Sequence, residues 1–204
     1  SPAPVLMVGF NRRFAPHVVR MRALLATVSE PKSLVVTVNA GAIPADHWTQ
    51  NREVGGGRLI GEGCHFSDLV RHLVGQPVCE WRVMQLGTHP ALEVRSDKAS
   101  ISMRFQDGSM GVVHYLANGH RGFPKERVEI FCAGRVLQLD NFRKLRGWGW
   151  SGFSRMNLWG QDKGQAACAK AFVDAVRTGV CPIPHEELLE VSRISIEAQK
   201  ALGS

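Results

Sequence analysis

The chain has 204 residues, 44% of them hydrophobic and 21% charged, and a net charge of +7 with the histidines neutral. That is enough apolar material for one substantial core, with a surplus of cations that suits an anionic partner. No apolar run reaches the roughly 18 residues of a membrane span, and the opening SPAPVLMVGFNRRF lacks the order of a signal peptide, so a cytoplasmic protein with no membrane partner is expected. The five cysteines are odd in number and never spaced C-x-x-C, which argues against a disulfide framework or a zinc knuckle; no metal is expected.

In chain order, Val5 to Phe10 is a short apolar run with nothing before it to pair with, and reads as a buried strand whose own sheet lies outside the chain. From Ala15 to Val28 the apolar residues recur at helical spacing, with Pro16 in the first turn. The β-branched stretch Lys32 to Asn39 reads as a strand. A loop with Pro44, His47 and Trp48 follows, then the glycines Gly55 to Gly57 and a helix stopped by Gly75 and Pro77.

The period then changes. Segments at 79–86, 99–106, 111–117, 127–132 and 136–139 are short and rich in β-formers; in ASISMRFQ the apolar residues alternate with polar ones before the turn signal Asp107-Gly108. A loop rich in Gly and Trp comes next, then helices from about Lys163 to Arg177 and from PIPHEELLEVS onward. Helices on both sides of a run of strands predict an α+β fold: an open, largely antiparallel sheet with helices packed on one face. The basic cluster from Phe142 to Arg155 contains Trp148 and Trp150 but no groove-reading motif, so a phosphate-bearing small molecule is favoured over nucleic acid.

The helix after the glycines carries the chemistry. Counted at about 100° per residue from Leu59, Leu69, Val70, Leu73 and Val74 form the core stripe, with Glu62 inside it and His65 beside it. A carboxylate there needs a cavity or a partner, with Arg58 and His65 one turn away on either side. His72 reads as solvated surface.

VGFNRRFAPH, NAGAIPADHW and GGGRLIGEGCHFSD together resemble the carboxy-terminal part of the glucose-fructose oxidoreductase and inositol dehydrogenase (Gfo/Idh/MocA) family, most closely members fused behind a zinc-alcohol-dehydrogenase-like region. The resemblance covers essentially the whole chain. It implies that residues 1–14 are the last strand and linker of a Rossmann domain absent here, and that 15–204 form the substrate-binding and catalytic domain. The family pattern G-G-G-x-x-x-D-x-G-x-H-x-x-D falls on Gly55, Gly56, Gly57, Gly63, His65 and Asp68, with Gly61 where the family has aspartate and the acid moved to Glu62. The implied activity is oxidoreduction of a sugar or nucleotide-sugar hydroxyl or keto group with NAD or NADP, bound mainly by the amino-terminal domain. His65 would be the base, with Glu62 or Asp68 fixing its tautomer. Asn11 and Arg12 would lie near the cofactor, and Asn39, His47, Trp48 and Lys163 on the substrate side. The family's E-K-P is absent from the chain. Homo-oligomerisation through the sheet face is expected, and the competing reading is a non-catalytic dimerisation scaffold with a decayed site.

Overall fold

The computed structural model describes residues 5–51 and 53–203. Helix α1 spans Pro16–Leu25 and strand β1 Ser33–Asn39. A π-helical turn at Leu59–Gly63 leads into α2, Cys64–Val74. Then come β2 Val78–Gln85, β3 Lys98–Phe105, β4 Met110–Leu116, β5 Glu126–Cys132, β6 Arg135–Asp140, β7 Lys144–Trp148 and β8 Arg155–Asn157. Helices α3, Gln165–Thr178, and α4, His185–Ala201, complete the chain.

The strands form one eight-stranded open sheet in the order β2-β3-β4-β1-β5-β6-β7-β8. Only β1 and β4 pair in parallel, with Val36 opposite Val113; every other pair is antiparallel. The alternation foreseen for β3 is present: Ala99, Ile101, Met103 and Phe105 are buried, and the residues between them face the other way. They join Leu34, Val36 and Val38 of β1 and Ile130 of β5 against Phe66, Leu69 and Leu73 of α2 in one core. Truncating such a fully buried leucine to alanine costs about 2–5 kcal/mol, so α2 is fixed on the sheet and whatever it carries is held rigidly. The expected α+β class is the observed one.

Two sequence expectations change. Val5 to Phe10 forms no strand among the described residues: Phe10 N–H bonds Val8 O at 2.7 Å and Asn11 N–H bonds Gly9 O at 2.8 Å, tight turns that lead into a 3-10 turn at Asn11–Phe14. Phe10 alone anchors this stretch deeply, packing with Ile183, Leu188 and Val191, while Leu6 remains exposed. Residues 1–4, part of the segment assigned to an absent domain, lie outside the described residues. The second change is the Gly/Trp loop, which contributes strands β7 and β8. Gly147 is there for packing, since a Cβ on it would lie 2.7 Å from the Phe153 ring.

Candidate active site

The polar site lies where β1 and β4 end and β5 begins, at one end of the sheet, with the start of α2 above it. The π turn matters here. Cys64 N–H reaches back to Leu59 O rather than to the carbonyl four residues behind it, which widens the turn and changes the direction of Glu62 relative to the helix that follows. Such turns recur at functional sites. Glu62 therefore meets not His65 but the sheet: Lys125 Nζ donates to Oε1 at 2.7 Å, Tyr115 Oη donates to Oε2 at 2.5 Å, and Arg58 Nη2 donates to Oε2 at 3.1 Å. Burial pushes the Glu62 carboxyl up, but the hydrogen bonds from Lys125 and Tyr115 and the charges of Lys125 and Arg58 outweigh it and hold the group at about 2. It is a carboxylate at neutral pH.

His65 stands beside this group. Its ring packs edge-on to Phe10, with centroids 5.8 Å apart, and its Nδ1 is buried with no hydrogen-bond partner. Burial and the positive charge of Arg12 lower its pKa to about 4, against the opposing pull of Glu62 and Glu126. The imidazole is neutral and able to accept a proton. On its other side Glu126, 1% exposed, receives Arg12 Nε at 3.1 Å, Arg12 Nη2 at 2.9 Å and Lys163 Nζ at 2.7 Å. Lys125 and Glu126 are neighbours in the chain and point to opposite sides, so one turn of backbone into β5 supplies a partner to each half of the site.

His47, Trp48 and Glu62 do come together, lining a cavity of about 330 Å³ with Arg58 and Gly61. Its floor is ordered by Arg58, whose Nη1 donates to Gly41 O at 2.7 Å. His47 Nδ1 also accepts from Thr49 N–H at 3.3 Å, capping the short turn that presents Trp48. Lys163 reaches the site, but its ammonium is bound to Glu126.

At several positions the structure shows surroundings that the sequence reading did not contain. Asp68 does not orient His65: it is fully buried and ion-paired through both carboxylate oxygens with Arg13, which also holds Glu187 at 2.9 Å, so it locks α2 to the 3-10 turn and to α4. Asn11 Nδ2 donates to Lys163 O at 2.7 Å while Asn11 also lines a cavity with Gly9 and Gln165, and Arg12 is buried against Glu126. Asn39 is engaged with backbone, donating to His120 O at 2.9 Å and Phe123 O at 3.2 Å, and pins the β4–β5 loop to the end of β1. His72 is half-buried, and burial, aided by Arg13, Arg22 and Arg71, lowers its pKa to about 3.

The glycine run packs against the chain itself. A Cβ on Gly55 would lie 2.5 Å from Trp48 O, and one on Gly57, at φ +91°, 2.4 Å from Gln199 Oε1, so these positions admit a neighbouring backbone and the α4 side chain. Sequence reasoning missed Tyr115, Lys125 and Glu126, which lie 37 to 114 residues from their partners; the one available signal was the Lys-Glu pair opening a strand, in a chain with a single tyrosine.

An α+β domain of this topology, carrying an ionised acid and a neutral histidine at the sheet's end, is a class met in other proteins. The profile of the GFO/IDH/MocA C-terminal domain matches residues 19–137, more than half of the chain, and the chain belongs to this family. It is similar, at 28% identity over 145 residues, to the uncharacterized oxidoreductase YrbE of Bacillus subtilis, covering 68% of this chain and 41% of that protein. Among solved structures it resembles UDP-N-acetylglucosamine 3-dehydrogenase GnnA from Acidithiobacillus ferrooxidans (TM-score 0.72, 18% identity, 97% of this chain and 61% of the other). It also resembles an aldose-aldose oxidoreductase from Caulobacter crescentus (TM-score 0.75, 19% identity, 98% and 63%). The chain thus spans less than two thirds of the length of each of these relatives.

Proposed function

We propose that this chain is the substrate-binding and catalytic domain of an oxidoreductase that acts on a hydroxyl or keto group of a sugar or nucleotide-sugar, with NAD or NADP carried mainly by an amino-terminal dinucleotide-binding domain of the same polypeptide. The observation that carries the reading is the buried, unpartnered Nδ1 of a neutral His65 within the electrostatic reach of the ionised Glu62, which itself lines a cavity walled by His47 and Trp48. The relatives that act on an aldose and on UDP-N-acetylglucosamine, as their names say, support the substrate class.

In this reading the dinucleotide supplies the hydride acceptor, and this chain's residues handle the proton and the position of the sugar. His65 takes the proton of the reacting hydroxyl, which its neutral state allows. Glu62, held in place by Lys125, Tyr115 and Arg58, accepts a hydrogen bond from a sugar hydroxyl and stabilises the imidazolium as it forms. The uncovered face of the sheet, with Met84, Met110, Phe131 and Trp148 exposed, serves a homo-oligomer contact. The test is turnover by the full natural polypeptide: His65→Ala lowers kcat by roughly 10²- to 10⁴-fold with a smaller effect on cofactor affinity. Near-normal turnover would reject the reading in favour of a non-catalytic scaffold.

A further inference from the structure

Two strands along the same end of the sheet lies a second cavity, of about 550 Å³, lined by Arg121, Phe123, Lys125, Asp140, Arg143 and Lys144 among others. Its charge is unbalanced. Among the described residues Arg121, Arg143 and Lys144 pair with no carboxylate; Arg143 Nη2 donates only to Trp159 O, at 3.0 Å. The one acid, Asp140, sits beside Lys144 across the ladder but accepts from Arg127 Nε at 2.9 Å. The fourth cation, Lys125, is bound to Glu62 at 2.7 Å and so marks where this cavity adjoins the first.

Like charges brought together without a counter-ion repel, and an anion seated among them relieves that repulsion. The structure also spends effort on holding it. Asn39 fastens the loop that carries Arg121 and Phe123, and the β6–β7 turn that carries Arg143 passes through Asn141 and Phe142, both left-handed at φ 49° and 52°. A left-handed phenylalanine is unfavourable, and here full burial of its ring holds it in place. Two aromatic surfaces stand at the rim: Phe123 is half exposed, and Trp159, whose carbonyl receives Arg143, is fully exposed.

Resting on the reading of the first cavity as the sugar site, we propose that the Arg121–Arg143–Lys144 cavity binds the phosphoryl groups of the substrate, so that the sugar acted on is a phosphorylated one. Sugar phosphates and nucleoside-diphosphate sugars share this chemistry. The exposed aromatic rings offer a stacking surface to the base of the second kind.

Calorimetric titration of the chain with UDP, glucose 1-phosphate, pyrophosphate, glucose and a single-stranded oligonucleotide tests this at two ionic strengths. The phosphorylated small molecules bind and glucose alone does not; affinity falls with salt. Arg121→Ala combined with Lys144→Ala, both at exposed positions, weakens the phosphorylated ligands by about tenfold or more with an unchanged circular dichroism spectrum. Phe123→Ser weakens UDP more than glucose 1-phosphate if a nucleotide sugar is the ligand, and weakens both alike if a sugar phosphate is. No binding by any phosphorylated small molecule, binding that the double variant leaves intact, or tighter binding of the oligonucleotide through the same residues overturns the proposal. The sugar-site reading fails separately, on normal turnover by His65→Ala, whatever the titrations give.

Discussion

Glu62 is the residue on which the site's electrostatics turn, and replacing it with Gln keeps its shape while removing its charge. Its carboxyl is moved from an ordinary 4.5 to about 2. At 1.36 kcal/mol per pH unit this corresponds to roughly 3 kcal/mol of stability. The side chain is 24% exposed and its partner Lys125 is 41% exposed, so solvent screening reduces the expected loss to about 1–3 kcal/mol. For a chain of this length that is a fall in Tm of roughly 2–12 °C. The sign follows from the folded value lying below the unfolded one: the contribution is complete above about pH 4.5 and disappears as pH falls toward 2. Urea unfolding of wild type and Glu62→Gln, repeated from pH 7 to pH 2, should therefore give curves that converge in acid. A variant that is equally destabilised at pH 7 and at pH 2, or not destabilised at pH 7, would show that the Lys125–Tyr115–Arg58 cage does not hold an ionised carboxylate.

Three further outcomes follow. The His65 imidazole should titrate near pH 4 by NMR, and Glu62→Gln should lower its midpoint further, because the carboxylate favours the imidazolium; a midpoint near 6.5 would contradict its burial beside Arg12. Because the unfolded chain takes this proton first, stability should also decline as pH drops from 6.5 toward 4. Asp68→Asn leaves the buried Arg13 guanidinium with Glu187 as its remaining carboxylate among the described residues and should cost about 1–3 kcal/mol in urea unfolding while leaving the His65 titration nearly unmoved; a large shift in that titration would restore Asp68 to the catalytic role. Light scattering should report at least a dimer, and Met110→Glu with Trp148→Lys on the uncovered sheet face should yield monomers; an unchanged mass would place the contact elsewhere.

What could be read from the sequence was whatever depends on near neighbours along the chain. The alternation of β3, the Pro16 start of α1 and the Gly75 end of α2 are local, and all appear in the structure. The Gly- and Trp-rich segment reads as loop because glycine has two uses, and Gly147 there leaves room for the Phe153 ring inside a strand. The geometry of the site was half legible. Glu62, His47 and Trp48 line one cavity, which no spacing in the sequence reveals; an even 100° advance likewise cannot reveal a π turn, and that turn gives Glu62 to Tyr115 and Lys125 rather than to His65. The burial of His72 and the pairing of Asp68 with Arg13 likewise depend on segments remote in sequence, which helical periodicity does not see.

The place of β1 bears on how the chain is made. It is the first strand of this sheet to be synthesised and yet the seam between the two halves of the sheet, flanked by β4 and β5. About 70 residues separate its end from the start of β4, which at 5–20 residues per second is roughly 4–14 s of synthesis. Throughout that interval SLVVTVN has two open hydrogen-bonding edges and no neighbour of its own, which makes it the segment of the nascent chain most exposed to wrong pairing with another copy. A chaperone that shields short β-branched runs would act here, and slowing translation over the codons for residues 40–110 should increase aggregation more than the same delay placed after β5.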